Sequence, residues 1–156
     1  MSYRYKIIII LAALFICTMS ILGACKLYFS NNQFLPDADI EYFMSQTMIE
    51  IYVIPETVNR SGFYARLINN TNYSFYYGHA FDLYIRNRNR WVYIEPIPHF
   101  TTFVEFRIPA NSYVVRFILL GHHFETLPSG EYAVVKEVFS SGAPEITLKI
   151  VGLFVL

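Results

Sequence analysis

Hydrophobic and polar residues alternate with a period of two over much of the chain after residue 46. In the run GFYARLI, which begins at Gly62, one set of alternate residues is Phe, Ala and Leu and the other is Tyr, Arg and Ile. This alternation is typical of a half-buried strand. Comparable runs lie at 47–54, 73–85, 91–95, 103–108, 113–120, 131–139 and 145–155, separated by Asn-, Pro-, Gly- and Ser-rich turns. The pattern predicts an all-β antiparallel sandwich of about seven to nine strands.

The run 73–85 is longer than an ordinary strand and contains Gly78 near its middle. A glycine inside a strand pattern marks a bulge or a bend, so we predict one at this point. The stretch RNRNR at 86–90 then separates this run from 91–95, its predicted hairpin partner. No segment after residue 47 shows a helical period.

A different pattern occupies the N-terminus. Residues 7–22 are apolar apart from one Thr and one Ser, and they follow Arg4 and Lys6. As a helix this run would span about 24 Å, which is less than the roughly 30 Å of bilayer hydrocarbon. A basic start, a short apolar middle and a small-residue end are typical of a signal peptide, here a signal helix over residues 1–24.

The end of this segment, Leu22-Gly23-Ala24-Cys25, resembles the lipobox of bacterial lipoproteins. The resemblance implies cleavage before Cys25 and attachment of a diacylglycerol and a fatty acyl chain such as palmitate to that cysteine. No other cofactor is expected. The anchor would place the protein on the outer face of the cytoplasmic membrane. The alternative is an uncleaved signal anchor with an incidental cysteine.

The chain is therefore predicted to consist of a signal peptide (1–24), a tether (25–46) and one β-sandwich domain (47–156). Aromatic residues in the tether indicate that part of it docks on the domain. Cys25 would be the only cysteine of the mature chain, since Cys17 lies in the signal peptide. The domain must then fold without a disulfide, which its size permits.

Composition excludes two classes of protein. The chain is 54% hydrophobic and 15% charged, which is too apolar for intrinsic disorder. Lys plus Arg and Asp plus Glu number 12 each, and loss of the signal peptide would leave a mildly acidic chain. Nucleic-acid binding needs the opposite balance, so no nucleic-acid partner is expected.

A set of spaced residues extends through the chain after residue 47: Asn69, Asn70, Thr71, Gly78, Phe81, Trp91, Leu127, Gly130, Tyr132 and Lys136. Their spacing resembles that of a bacterial immunoglobulin-like domain found in small lipoproteins of Gram-positive bacteria. In that family a strand ends in Asn-Asn-Ser/Thr, a Gly and an aromatic residue follow, and a polar turn precedes a Trp. A Leu-x-x-Gly-x-Tyr motif then leads to a Lys. The resemblance implies an Ig-like sandwich and an envelope location, and it implies no chemistry.

The matched residues are interpreted as structural. Gly78 would allow a φ angle that a side chain resists. Trp91 would fill the space between the two sheets, as a large aromatic does in such sandwiches. The hydroxyl of Tyr132 would bond to backbone near the turn at Gly130.

Catalytic and metal-binding motifs are not found in the sequence. His79, His99, His122 and His123 match no usual zinc-ligand spacing, although loops bringing three of them together would give a cryptic metal-dependent enzyme. There is no G-x-S-x-G turn, and the mature chain would have no free thiol. We therefore expect a non-enzyme with no catalytic residues.

Aromatic residues suggest binding instead, because 13 Tyr and 14 Phe exceed what one core hides. The predicted binding surface comprises Tyr73, Tyr76, Tyr77, Arg86, Arg88 and Arg90. The leading hypothesis is a membrane-anchored extracytoplasmic lipoprotein whose domain is a non-catalytic binding or adaptor module. Its partner would be another envelope protein or a wall polymer. The alternative is a structural spacer or scaffold without a specific ligand.

Overall fold

The computed structural model describes residues 34–45, 48–98, 104–140 and 146–156. The predicted signal helix and the lipobox residues Leu22, Gly23, Ala24 and Cys25 lie outside this part of the chain. Nearly all of the described residues belong to one compact unit, Leu35–Leu156. Its elements are β1 (Phe34–Pro36), α1 (Asp37–Met44), β2 (Ile49–Val53), a 3₁₀ turn (Pro55–Thr57), β3 (Gly62–Asn69), β4 (Phe75–Tyr77), β5 (Asp82–Asn87), β6 (Arg90–Ile94), β7 (Phe106–Ile108), β8 (Ser112–Leu119), β9 (Glu131–Ser140) and β10 (Thr147–Val155).

The strands form two sheets, as the alternation predicts. The larger sheet has the order β1-β6-β5-β9-β4-β7, with β10 paired to the other edge of β9. The smaller sheet has the order β2-β3-β8, and both of its pairings are antiparallel. The prediction of an all-β fold built from antiparallel sheets is confirmed.

Strand β9 is the centre of the larger sheet. Its first half pairs with β5, from Ile85 opposite Tyr132 to Asp82 opposite Val135. Its last two residues pair with β4. Strands β4 and β5 are therefore two halves of one extended segment, interrupted at residues 78–81. The interruption predicted near Gly78 is confirmed.

The predicted reason for that interruption is wrong. Gly62 is the only glycine with a positive φ in the described ranges, so Gly78 does not adopt a backbone that excludes side chains. A Cβ at Gly78 would meet only one backbone oxygen, at 4.0 Å. The segment is instead held by Lys136, whose ammonium group binds two carbonyls of the interruption, as described below.

The main core lies between the two sheets. On β9 the alternate residues Tyr132, Val134 and Val138 point into it, and Ala65 and Leu67 of β3 are equally buried. No disulfide is needed, because apolar residues of both inner faces pack into one cluster.

A second buried cluster covers the outer face of the larger sheet. It contains Tyr84, Trp91 and Val151 from the sheet and Ile40 from α1. Trp91 pairs with Arg86 and shares the face of Tyr84, which is opposite to the inter-sheet face. The prediction that Trp91 fills the space between the sheets is therefore wrong: it packs beneath the helix.

Helix α1 lies in the segment predicted as a tether. The compact unit starts at Leu35 and so includes α1 and most of β1. Pro36 precedes the helix, and Asp37 and Asp39 lie in its first turn, where carboxylates favour the helix dipole. The helix has one fully buried residue, Ile40, so its sequence carries almost no amphipathic signal.

Candidate functional site

The outer face of the smaller sheet exposes a group of large aromatic residues. Strands β2, β3 and β8 each alternate, so every second side chain points away from the core. We call the group the aromatic face, and it consists of Tyr52, Arg66, Tyr64, Tyr113, Val115 and Phe117. The three tyrosines, Val115 and Phe117 are each between 43% and 59% exposed.

The strand register places these side chains side by side. Tyr52 is opposite Arg66, which is opposite Val115, and Tyr64 is opposite Phe117. The rings of Tyr64 and Phe117 meet edge-on with centroids 5.0 Å apart. The guanidinium carbon of Arg66 lies 5.8 Å from the ring centroid of Tyr113. The result is one continuous surface of ring faces, hydroxyl groups and one oriented cation.

Gly62 positions one end of this face. An ideal Cβ at Gly62 would lie 2.2 Å from the carbonyl oxygen of Ile118 and 2.8 Å from the ring of Phe117. Only glycine therefore permits this close approach of β3 and β8 with the Phe117 ring lying over the backbone. At the opposite end the amide of Asn70 donates a 2.9 Å hydrogen bond to the carboxylate of Glu50.

The predicted tyrosine surface, on β4 and in the turn before it, does not form one exposed patch. Tyr73 is 55% exposed, whereas Tyr77 is 3% exposed and points into the protein. Tyr76 is half-buried and stacks on Phe139 with ring centroids 6.1 Å apart. The aromatic face on the smaller sheet was missed, although the outward position of Tyr64 and Arg66 in the alternating run GFYARLI was the available signal.

The predicted arginines lie on the β5–β6 hairpin, on the other sheet. Arg86 forms ion pairs with Asp37 at 3.6 Å and Glu131 at 3.5 Å, and it lies 5.4 Å from the ring centroid of Trp91. Arg88 has a φ of 59° in the two-residue turn, and Arg90 begins β6. Arg86 thus stabilises the packing around the helix, and its charge is matched by two carboxylates.

The Asn-Asn-Thr motif fixes the β3–β4 turn. Asn69 is 1% exposed, and its amide nitrogen donates to the carbonyls of Tyr73 at 2.7 Å and Pro109 at 2.9 Å. Its side-chain oxygen accepts bonds from the backbone N–H and the hydroxyl of Thr71. Asn70, the next residue, donates its backbone N–H to Met48. The motif ties three chain segments together.

The Leu-x-x-Gly-x-Tyr motif fixes the start of β9. Leu127 is buried, and the hydroxyl of Tyr132 donates to the carbonyl of Pro128, as predicted for that tyrosine. Burial raises the pKa of the Tyr132 phenol. The backbone of Gly130 exchanges two 3.0 Å hydrogen bonds with Leu156, which joins this turn to the end of the chain.

Lys136 is the last residue of the motif and is buried, with 5% of its surface exposed. Its ammonium group donates to the carbonyls of Gly78 at 2.7 Å and Ala80 at 2.9 Å. It also lies 5.1 Å from the ring centroid of Tyr77. Burial of the charge lowers the pKa of Lys136 from 10.5 to about 8. Lys136 is therefore the side chain that holds the interruption between β4 and β5 in place.

The histidines pack against aromatic rings. His79 meets Phe106 with centroids 4.8 Å apart, and His123 meets Phe81 at 5.2 Å. His99 lies outside the described residues. Among the residues that the structure describes, no three His, Cys, Asp or Glu side chains are grouped as a metal site. Within the same ranges no helix has the length and apolar character needed to cross a membrane.

Comparison with known protein families found no family model that matches the chain. Comparison with curated proteins found no significant match either.

Proposed function

We propose that this chain is a membrane-anchored extracytoplasmic lipoprotein whose Ig-like domain is a non-catalytic module that binds an envelope glycan. The anchor would be the acylated Cys25. The single observation that carries the binding function is the aromatic face of the smaller sheet.

The strand arrangement supports an Ig-like topology. Ig domains place strands A, B and E in one sheet and strands C, F and G in the other. Here β2, β3 and β8 correspond to A, B and E, and β10, β9 and the divided β4/β5 segment correspond to G, F and C. The bond from Tyr132 at the start of β9 to the carbonyl of Pro128 matches the tyrosine corner at the start of strand F. Trp91 departs from the usual pattern, because it follows strand C and faces the helix.

A glycan is the ligand class that suits the aromatic face best. Tyr52, Tyr64 and Tyr113 each present a ring face and a hydroxyl, which complement the apolar and polar edges of a sugar ring. Arg66 and, at one end, Glu50 add a fixed donor and an acceptor among the rings. The outer strands are about 10 Å apart, since neighbouring strands are spaced by about 4.8 Å. This surface is wide enough for a polymer chain to lie across it, and an envelope anchor would keep it beside wall polymers.

The binding experiment uses the full chain in mild detergent. Purified peptidoglycan sacculi are sedimented with the protein, and chitotetraose is titrated while tyrosine ring signals are followed by NMR. We expect Tyr64→Ala to weaken binding about tenfold or more, by loss of stacking and of the ordered Phe117 ring. Tyr73→Ala is the matched control, because Tyr73 is an equally exposed tyrosine outside the aromatic face.

Two results would refute the glycan assignment. One is no binding of the wild-type protein to sacculi or chitotetraose, and the other is an equal loss of binding in both variants. In the first case, a protein crosslinked at Tyr64 would identify a protein as the partner of this face instead.

The anchor is tested separately. An alkyne-labelled fatty acid should be incorporated into the wild-type chain and not into Cys25→Ala. The variant should leave the membrane fraction. Unchanged membrane association of an unlabelled Cys25→Ala chain would favour the uncleaved signal anchor.

A further inference from the structure

A cavity of about 350 Å³ opens between the two sheets beside the β4–β5 interruption. It lies on the inner side of the smaller sheet, and Phe117 of the aromatic face also contributes to its lining. Lys136 reaches it from β9 and Arg116 from β8, and its walls include Phe81 and Phe106. The volume is at the lower end of the roughly 300–1,000 Å³ typical of small-molecule sites.

Two cations of the cavity contact the same tyrosine. Arg116 pairs with Ala65, whose side chain is in the core, so Arg116 leaves β8 on the inner side of the sheet, where its side chain is exposed at the cavity opening. Its Nε donates a 2.8 Å hydrogen bond to the hydroxyl of Tyr77. The ammonium group of Lys136 lies 5.1 Å from the centroid of the same ring. One cation therefore comes from each sheet, and both meet at Tyr77.

No carboxylate lines the cavity. Neither Arg116 nor Lys136 forms an ion pair with another described residue. The two carbonyls satisfy two of the three donors of the Lys136 ammonium group. A buried cation without a counter-ion is costly, and burial correspondingly lowers the pKa of Lys136. The cavity is thus positively charged and lacks an anion of its own.

The walls are mainly aromatic. The guanidinium carbon of Arg116 lies 5.1 Å from the ring centroid of Phe106, and His79 packs edge-on against that same ring. Phe81 and His123 form a second pair of contacting rings on the wall. An inorganic anion would leave these ring surfaces uncovered. An anion with an apolar body would contact both the two cations and the aromatic walls of the cavity.

We propose that this cavity is a binding site for a small organic carboxylate with an aromatic or aliphatic body. The carboxylate lies between Arg116 and Lys136. It accepts hydrogen bonds from the remaining N–H groups of the guanidinium and from the third N–H of the ammonium group. The body of the ligand packs against Phe81 and Phe106. The proposal does not rest on the glycan-binding function, since Arg116 and Lys136 are not part of the aromatic face.

The test titrates phenylacetate and its neutral isostere phenylacetamide into the full chain by calorimetry. The pKa of Lys136 is measured by NMR of the labelled ammonium group. We expect phenylacetate to bind at least about tenfold more tightly than the amide, because the amide has no negative charge and only one acceptor oxygen for Arg116 and Lys136. Phenylacetate should also raise the pKa of Lys136 from about 8 toward 10.5, whereas the amide should leave it unchanged.

Two arginine variants separate this site from the aromatic face. Arg116→Gln keeps Lys136 and the strand interruption, and it should weaken phenylacetate binding about tenfold or more. Arg66→Gln makes the same charge change on the opposite face of the same sheet and should leave phenylacetate binding intact. Glycan binding should be weakened by Arg66→Gln and left intact by Arg116→Gln.

Equal affinity for phenylacetate and phenylacetamide would overturn the proposal, as would a Lys136 pKa that phenylacetate does not move. Inorganic phosphate binding as tightly as phenylacetate, with the same sensitivity to Arg116→Gln, would show that the body of the ligand is not recognised and would also overturn it. Loss of glycan binding alone would leave the cavity site standing.

Discussion

Lys136 should make the free energy of unfolding of this domain rise as the solution becomes alkaline. In the folded protein its pKa is about 8, and in the unfolded chain it returns to about 10.5. Between these two pH values the unfolded chain binds a proton that the folded protein does not. The free energy of unfolding therefore increases with pH across this window.

The size of the effect follows from the pKa difference. One pKa unit corresponds to about 1.4 kcal/mol, so the buried charge costs on the order of 3 kcal/mol at neutral pH. Because deprotonation is almost complete in the folded protein at pH 10, about 2 kcal/mol of this cost should be relieved between pH 7 and pH 10. Burial raises the pKa of Tyr84 to about 12, which lowers stability only as the pH rises past 10. The measurement therefore stops at pH 10.

Urea unfolding of the full chain gives the assay, followed by the fluorescence of Trp91, the single tryptophan, which is buried. Lys136→Met should abolish the increase in stability with pH. Lys149→Met, the same change at an exposed lysine of β10, should retain it. Lys136→Met also leaves the carbonyls of Gly78 and Ala80 without their donor, which changes stability at every pH. The quantity compared is therefore the change of the free energy of unfolding with pH, not its absolute value. Parallel pH curves for the wild-type protein and Lys136→Met would refute the reasoning.

Three other substitutions test the structural motifs by the same unfolding assay. Asn69→Ala should destabilise the domain by about 2–4 kcal/mol, since it removes the part-buried hydrogen bonds to Tyr73, Thr71 and Pro109, and a loss under about 0.5 kcal/mol would contradict that role. Gly62→Ala should cost about 3 kcal/mol, because its Cβ would collide with the Ile118 carbonyl and push the Phe117 ring away; a neutral result would mean that β3 and β8 are not so close. Tyr132→Phe should cost about 1–2 kcal/mol by leaving the Pro128 carbonyl without its donor, and unchanged stability would argue against a tyrosine corner.

Strand positions were the most predictable feature of the fold. The runs predicted at 47–54, 113–120 and 131–139 contain or nearly coincide with β2, β8 and β9. A half-buried strand must alternate, and its sequence shows this directly. Helix α1 was not predicted, because eight residues with one buried side chain carry no helical period. The helix is stabilised by tertiary packing, because Ile40 covers apolar residues on the outer face of the larger sheet.

The candidate sites were less predictable than the strands. The alternating pattern predicts that Tyr64 and Arg66 lie on the same face of their strand. It does not predict which residues of the neighbouring strands lie beside them. Tyr52 and Phe117 lie beside them only through the register of β2 and β8. The arginines of the β5–β6 hairpin form a dense cluster in the sequence. In the structure, however, Arg86 forms ion pairs with Asp37 and Glu131.

Short-range patterns are sufficient to predict the alternating strands and the turns at Asn69 and Gly130. These features depend on periods and turn chemistry that act over a few residues. The packing of the two sheets brings Lys136 and Arg116 together at Tyr77, one from each sheet. Packing of α1 on the outer face of the larger sheet places Trp91 beneath the helix and not between the sheets. Both outcomes depend on pairing between residues far apart in the chain, which no local pattern encodes.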